Sequence, residues 1–111
     1  MGKTANRTHF EFLKGRLMNI RRIVLDVDKA VSRPTLIEIT SAIEVVPGVQ
    51  GLNLTVTEID IETVGTNVTI EGEGLDYDAL VKAIESTGAV VHSIDQIVAG
   101  KQIVEMVSRK R

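Results

Sequence analysis

Apolar and polar residues alternate with a period of two in several stretches of the chain, and recur near the 3.6-residue helical period in two others. In "RRIVLDVDK", residues 21–29, Ile23, Leu25 and Val27 share one side and Val24, Asp26 and Asp28 the other, which predicts a strand with one buried face. "SRPTLIEITSAIEVVPG" then places Leu36, Ile39, Ile43 and Val46 on one helical stripe, with Pro34 suited to the first helical position and Pro47-Gly48 as the stop. "GLNLTVTEIDIET" predicts a second strand, "VGTN" a turn, and "NVTIEGEG" a third strand, so that the last two strands form a hairpin. Asp76 is a suitable N-cap for a helix over "YDALVKAIEST", with Leu80 and Ile84 inward and Gly88 at its end. "AVVHSIDQIVAG" supplies a fourth strand.

The order β-α-β-β-α-β predicts an α+β ferredoxin-like sandwich, a four-stranded antiparallel sheet with both helices on one face. Right-handed crossovers put the first and third strands in the centre. Residues 18–100 form this domain. Residues 1–17 lack periodicity, contain Gly15, and are expected to be a flexible extension, with Met18 a second candidate start. Residues 101–111 form a basic tail in which Ile103, Val104 and Val107 have helical spacing. Nothing in the pattern covers the second face of the sheet, which is where a fold of this kind has room to bind or to pair.

One segment resists a flat-strand reading. In "TEIDIET", Glu58, Asp60 and Glu62 share the parity of Leu52, Leu54 and Val56 upstream. A regular strand would put all six on one face. Either a β-bulge near Thr57 flips the pattern, or the strand overhangs the core and is wet on both sides. With a bulge, Glu58 and Asp60 join Asp26, Asp28 and Glu71 on the open face. Alternate strand residues lie about 7 Å apart, where two like charges repel by about 0.6 kcal/mol in water. A solvated strand tolerates this; a covered one needs basic residues or a cation. Asp26, Asp28, Glu58, Asp60 and Glu62 are therefore candidate ligands for Ca²⁺ or Mg²⁺, hard cations that suit an all-oxygen set. "DVDK" lacks the spacing of an EF-hand loop, and a solvated acidic face is the simpler expectation.

Composition narrows the chemistry. The 111 residues suffice for one domain, 43% are hydrophobic but only 3% aromatic, so the core must be aliphatic. There is no cysteine, which excludes disulfides, thiolate metal sites and cysteine nucleophiles. No apolar run reaches the length of a membrane span, and the N-terminus does not resemble a signal peptide, so a cytoplasmic setting is expected. The net charge of −2 conceals a segregation. Residues 1–33 carry eight basic and three acidic groups, residues 34–100 one and eleven, residues 101–111 four and one. The acidic body repels phosphate backbones, so nucleic acid is not an expected partner. The basic ends are suited to the acidic body of another copy.

Other constellations are weaker. His92 could act as a general base only with a carboxylate beside it, and Asp95, three residues on, should lie on the opposite strand face. An RNA-recognition module needs aromatic residues on its central strands, where this chain has Val24, Asp26, Asp28, Thr69 and Glu71. The metallochaperone form of the fold needs a Cys pair where this chain has Lys29 to Ser32. "PGVQG", residues 47–51, resembles the turn lining effector sites in small ligand-sensing ferredoxin-like domains, although a turn requirement for glycine explains it equally.

Together, "RRIVLDVDK", "PGVQGLNLTVTEID", "VTIEGEGLDYD" and "VVHSIDQIVAGK" resemble, in order, an archaeal family of domains of unknown function, the one numbered two hundred and eleven. The resemblance covers residues 18–101 and implies a ferredoxin-like fold, an archaeal cytoplasmic setting and self-assembly; it brings no reaction and no catalytic residues. The expectation is a non-enzymatic homo-oligomeric module that binds a small ligand or cation. The alternatives are a Ca²⁺ or Mg²⁺ protein using the acidic face, and an enzyme with a site around His92.

Overall fold

The structure, a computed structural model, describes residues 18–108. The expectations for residues 1–17 and for Arg109, Lys110 and Arg111 lie outside the described residues. The elements are β1 (Ile20–Ala30), α1 (Leu36–Glu44), β2 (Val49–Ile59), β3 (Thr63–Gly72), α2 (Tyr77–Ser86) and β4 (Val90–Ala99). They form one antiparallel sheet in the order β2-β3-β1-β4, with both helices on one face: the ferredoxin-like α+β fold.

Parity builds the core. Ile23, Leu25 and Val27 of β1 and Val68 and Ile70 of β3 are fully buried, and meet Ile39 and Ile43 of α1 and Leu80 and Ile84 of α2. Leu52 and Leu54 of β2, opposite Ile70 and Val68, pack at its margin. Lys29 continues the inward parity of β1 and is buried, its ammonium donating to the carbonyls of Ala30 (2.7 Å) and Val31 (3.1 Å). Thr66 is also buried, and its hydroxyl donates to Val27 O at 2.7 Å, so the one polar side chain facing the core from β3 is satisfied.

Helix α1 starts two residues later than Pro34 suggests, at Leu36. Thr35 is the N-cap: its Oγ1 accepts from the Glu38 N–H (3.1 Å), and Glu38 Oε1 accepts from the Thr35 N–H (2.9 Å), a complete capping box. Asp76 caps α2 as expected, accepting from the Ala79 N–H at 3.2 Å. The turn after α1 is pressed against the end of β3. Gly48 has φ +95°, its carbonyl accepts from the Glu73 N–H at 3.0 Å, and a Cβ on Gly72 would run into that carbonyl.

Two expected boundaries are corrected. The hairpin turn is not "VGTN" but Asp60–Thr63, closed by the Asp60 N–H donating to Thr63 O at 2.8 Å, and residues 64–67 lie within β3. The cause is visible in the register: Val64, Thr66, Val68 and Ile70 share one parity, all buried, and β1 is long enough to pair with Thr63–Glu71 throughout. Nor is the described part of the tail helical: residues 101–108 have neither helix nor strand. A short segment rich in β-branched residues is a marginal helix, and its polar groups are claimed by the sheet. Arg21 donates to Lys101 O at 2.8 Å, and Arg22 grips Glu105.

Candidate functional site

The face opposite the helices is built by Arg22, Val24, Asp26 and Asp28 of β1, Gly65, Asn67, Thr69 and Glu71 of β3, and their partners on β2 and β4. It is largely polar, with Val24, Val90 and Val98 as apolar members, and has two unlike ends. At one end Arg22 Nε donates to Glu71 Oε2 (2.6 Å), while its two terminal nitrogens donate to Glu105 Oε1 and Oε2 (2.9 and 3.0 Å). These bonds raise the Arg22 pKa and hold the Glu105 carboxyl below its usual range. The C-terminal segment is thereby fastened across this end of the sheet. Val98, which pairs with Arg22 and so shares its face, is buried although it lies outside the core cluster. Beside Arg22, Arg21 Nε sits 3.0 Å from Glu73 Oε2 without hydrogen-bond geometry.

At the other end lie the acids. The β2–β3 register shifts between Val56 and Glu58, so Thr57 is the extra residue of a bulge. Glu58 consequently pairs with Gly65, which pairs on its other side with Asp28, and the two carboxylates flank the glycine on the open face. The same shift turns Ile59 to the helix side opposite Val64. The helices do not extend that far: Ile59 is 74% and Ile61 92% exposed. The parity conflict in "TEIDIET" is thus resolved by both devices, a bulge and an overhang.

Of the five candidate ligands, Asp26, Asp28 and Glu58 share the open face, whereas Asp60 and Glu62 fall in the hairpin turn. Among the described residues, no three His, Asp or Glu side chains converge as a metal-binding group. A shallow cleft of about 190 Å³ on the face is lined by Asp26, Thr57, Thr66, Asn67 and Asp95. His92 and Asp95 occupy two separate bulges of β4, each skipped by the register with β1. Asp95 accepts from the Ser93 hydroxyl at 2.9 Å, and His92 is exposed.

A larger depression, about 370 Å³, lies on the β2–β3 part of the face and is lined by Gln50, Gly51, Leu52, Asn53, Thr69 and Glu71. It begins where "PGVQG" enters β2, at a second bulge in which Gln50 is the extra residue. The sequence hinted at this place only through its glycines. The Arg22–Glu105 contact and the buried Lys29 were not foreseen, although the parity of Ile23, Leu25, Val27 and Lys29 was there to be read. No described helix is long and apolar enough to cross a membrane.

Comparison with known proteins matches residues 21–111 to the model of the DUF211 family, described as "Uncharacterized ArCR". An uncharacterized protein of Methanocaldococcus jannaschii is similar as well, 47% identical over 88 residues, which is 79% of this chain and 90% of that protein.

Proposed function

Since the chain belongs to the archaeal DUF211 family, whose members carry no assigned reaction, we propose that it is a non-catalytic, self-assembling module in which the C-terminal segment of one copy engages the acidic end of the sheet of the next. The observation that carries this reading is the segment itself. Val104, Met106 and Val107 are 75%, 80% and 80% exposed, in a stretch fastened to the sheet at the Lys101 carbonyl by Arg21 and at the Glu105 side chain by Arg22. A chain that anchors an apolar strip yet leaves its side chains in water has a surface to cover.

The complement is at the far end of the face. The hairpin presents Ile59 and Ile61 beside Glu58, Asp60 and Glu62, an apolar and acidic surface. The tail presents valines and methionine followed by Arg109, Lys110 and Arg111 in the sequence, apolar and basic. Arg21 and Arg22 do not serve as cations for a neighbour here, because carboxylates of their own chain already face them. Edge-to-edge sheet extension is disfavoured: β2 is interrupted at Gln50 and Thr57, β4 at His92 and Asp95, and bulged edges pair poorly. The contact joins two different surfaces, so it is heterologous and closes into a ring or runs on as a filament.

Truncation after Gly100, measured by light scattering, tests this. The truncated protein should scatter as single chains, and high salt should weaken assembly of the intact one. A truncated protein that keeps the assembled mass overturns the reading.

A second reading has one observation in its favour. Asp26 and Asp95 line the same cleft with the oxygens of Asn67 and Thr57, a set suited to Ca²⁺ or Mg²⁺. Calorimetry with each ion decides it; no heat and no change in melting temperature at millimolar ion removes it.

A further inference from the structure

We infer that the depression over Gly51 is a binding site for one uncharged, planar, hydrogen-bonding molecule of nucleobase or nucleoside size. The starting point is a glycine without a reason of its own. Gly48 and Gly72 are held to glycine by a positive φ or by a carbonyl where a Cβ would be. Gly51 has neither constraint: its φ is not positive, and a Cβ there would meet nothing within 4 Å. It sits in a strand, where glycine weakens the ladder and offers no side chain to pack. What glycine does provide is bare backbone as the floor of the depression, so that a flat group can approach it closely.

The walls define the ligand. Asn53 Oδ1 accepts from the Thr55 hydroxyl at 2.5 Å, which turns the Asn53 amide so that its two N–H donors remain to be used. Glu71 Oε2 is taken by Arg22 at 2.6 Å, leaving Oε1 as an acceptor. Thr69 and Gln50 add a hydroxyl and a second amide. The site thus offers donors and acceptors side by side, the pattern that reads the edge of a nucleobase. Its one charge, Glu71, is paired with Arg22, which also holds Glu105, so one cation faces two carboxylates. An anion would find no free cation in the lining and would face the acidic sheet, so a phosphorylated nucleotide or a free carboxylate is disfavoured against an uncharged ligand. The volume, near the lower end of small-molecule sites, suits one such molecule. The acidic half of the proposed assembly contact, at Gly65, Glu58 and Asp28, lies at the opposite end of the face.

The test is an NMR titration of the full chain with adenosine, inosine, cytidine and uridine, and with the corresponding 5′-monophosphates. At least one nucleoside should shift the amide signals of Gly51, Asn53, Thr69 and Glu71 with saturation, and its monophosphate should bind more weakly. Gly51→Val, which fills open space, should stay folded and lose the shifts. Asn53→Ala should weaken binding by roughly tenfold and serves as the decisive variant if Gly51→Val fails to fold. Absence of saturable shifts with all four nucleosides overturns the inference. So does binding mapped elsewhere, or a Gly51→Val protein that binds normally. A Gly51→Val protein that instead changes its assembly mass, with no nucleoside bound by the parent, assigns the bare floor to contact between copies.

Discussion

Replacing Val104 and Val107 together with serine separates the role of the tail in assembly from any role in folding. In the single chain the two side chains are 75% and 80% exposed, so their removal withdraws almost no buried area, and the folding stability should change by less than about 0.5 kcal/mol. In the assembly they become buried. Full burial of a valine contributes about 1.5–2 kcal/mol, and three-quarters to four-fifths of that remains available for each. The pair therefore supplies about 2–3 kcal/mol per contact, equivalent to a weakening of each contact by about 30- to 150-fold. Sedimentation velocity over a range of protein concentrations reads the association constant, and urea denaturation under dissociating conditions reads folding. An unchanged association constant would refute the reasoning. So would a dissociated variant whose folding stability had fallen in step, because the valines would then be part of the core.

Four further outcomes follow from the same contacts. Glu105, held below the ordinary carboxylate value of 4.5 by its bonds to Arg22, keeps the tail fastened above that pH and releases it as pH falls through the lowered value; Glu105→Gln should abolish this step in the Arg22 side-chain NMR signal. Thr35→Ala removes the cap of α1 and should cost about 1 kcal/mol in urea denaturation at neutral pH. Glu38, lowered chiefly by its bond from the Thr35 backbone, contributes fully above its unfolded pKa and loses that contribution as pH falls through its lowered folded-state value. Leu80→Ala, at a fully buried position, should destabilise by about 2–5 kcal/mol, whereas Ile61→Ala, 92% exposed, should leave monomer stability nearly unchanged.

Most of the fold could be read from alternation. The inward sets Ile23/Leu25/Val27 and Ile39/Ile43, the cap at Asp76 and the central placement of β1 and β3 all follow from short-range pattern plus handedness. The bulge at Thr57 was legible too, because a parity switch within one strand has few other solutions. The misplaced hairpin turn shows the limit. "VGTN" contains glycine and asparagine and looks like a turn locally, but Val64 and Thr66 belong to the buried row of β3, and β1 extends far enough to pair with them. Long-range pairing overrode local turn chemistry. The capping box Thr35–Glu38 was present in the letters and was outweighed by the preference of proline for helix starts.

The site was less legible for a physical reason. Which carboxylates share a surface depends on register, and a single bulge decides it for Glu58, while the turn removes Asp60 and Glu62 from the sheet. The fastening of the tail by Arg22 and Glu105 joins residues 83 positions apart, which no local pattern encodes. Gly51 was noticed as one letter of a turn. Only the space above it distinguishes it from the glycines that the backbone requires.

Self-association is the central claim, and the mass of the intact chain in solution tests it most directly. Light scattering coupled to size exclusion should give a discrete multiple of the 12.1 kDa chain mass at low salt and micromolar protein. A mass of one chain across the whole concentration range would contradict it.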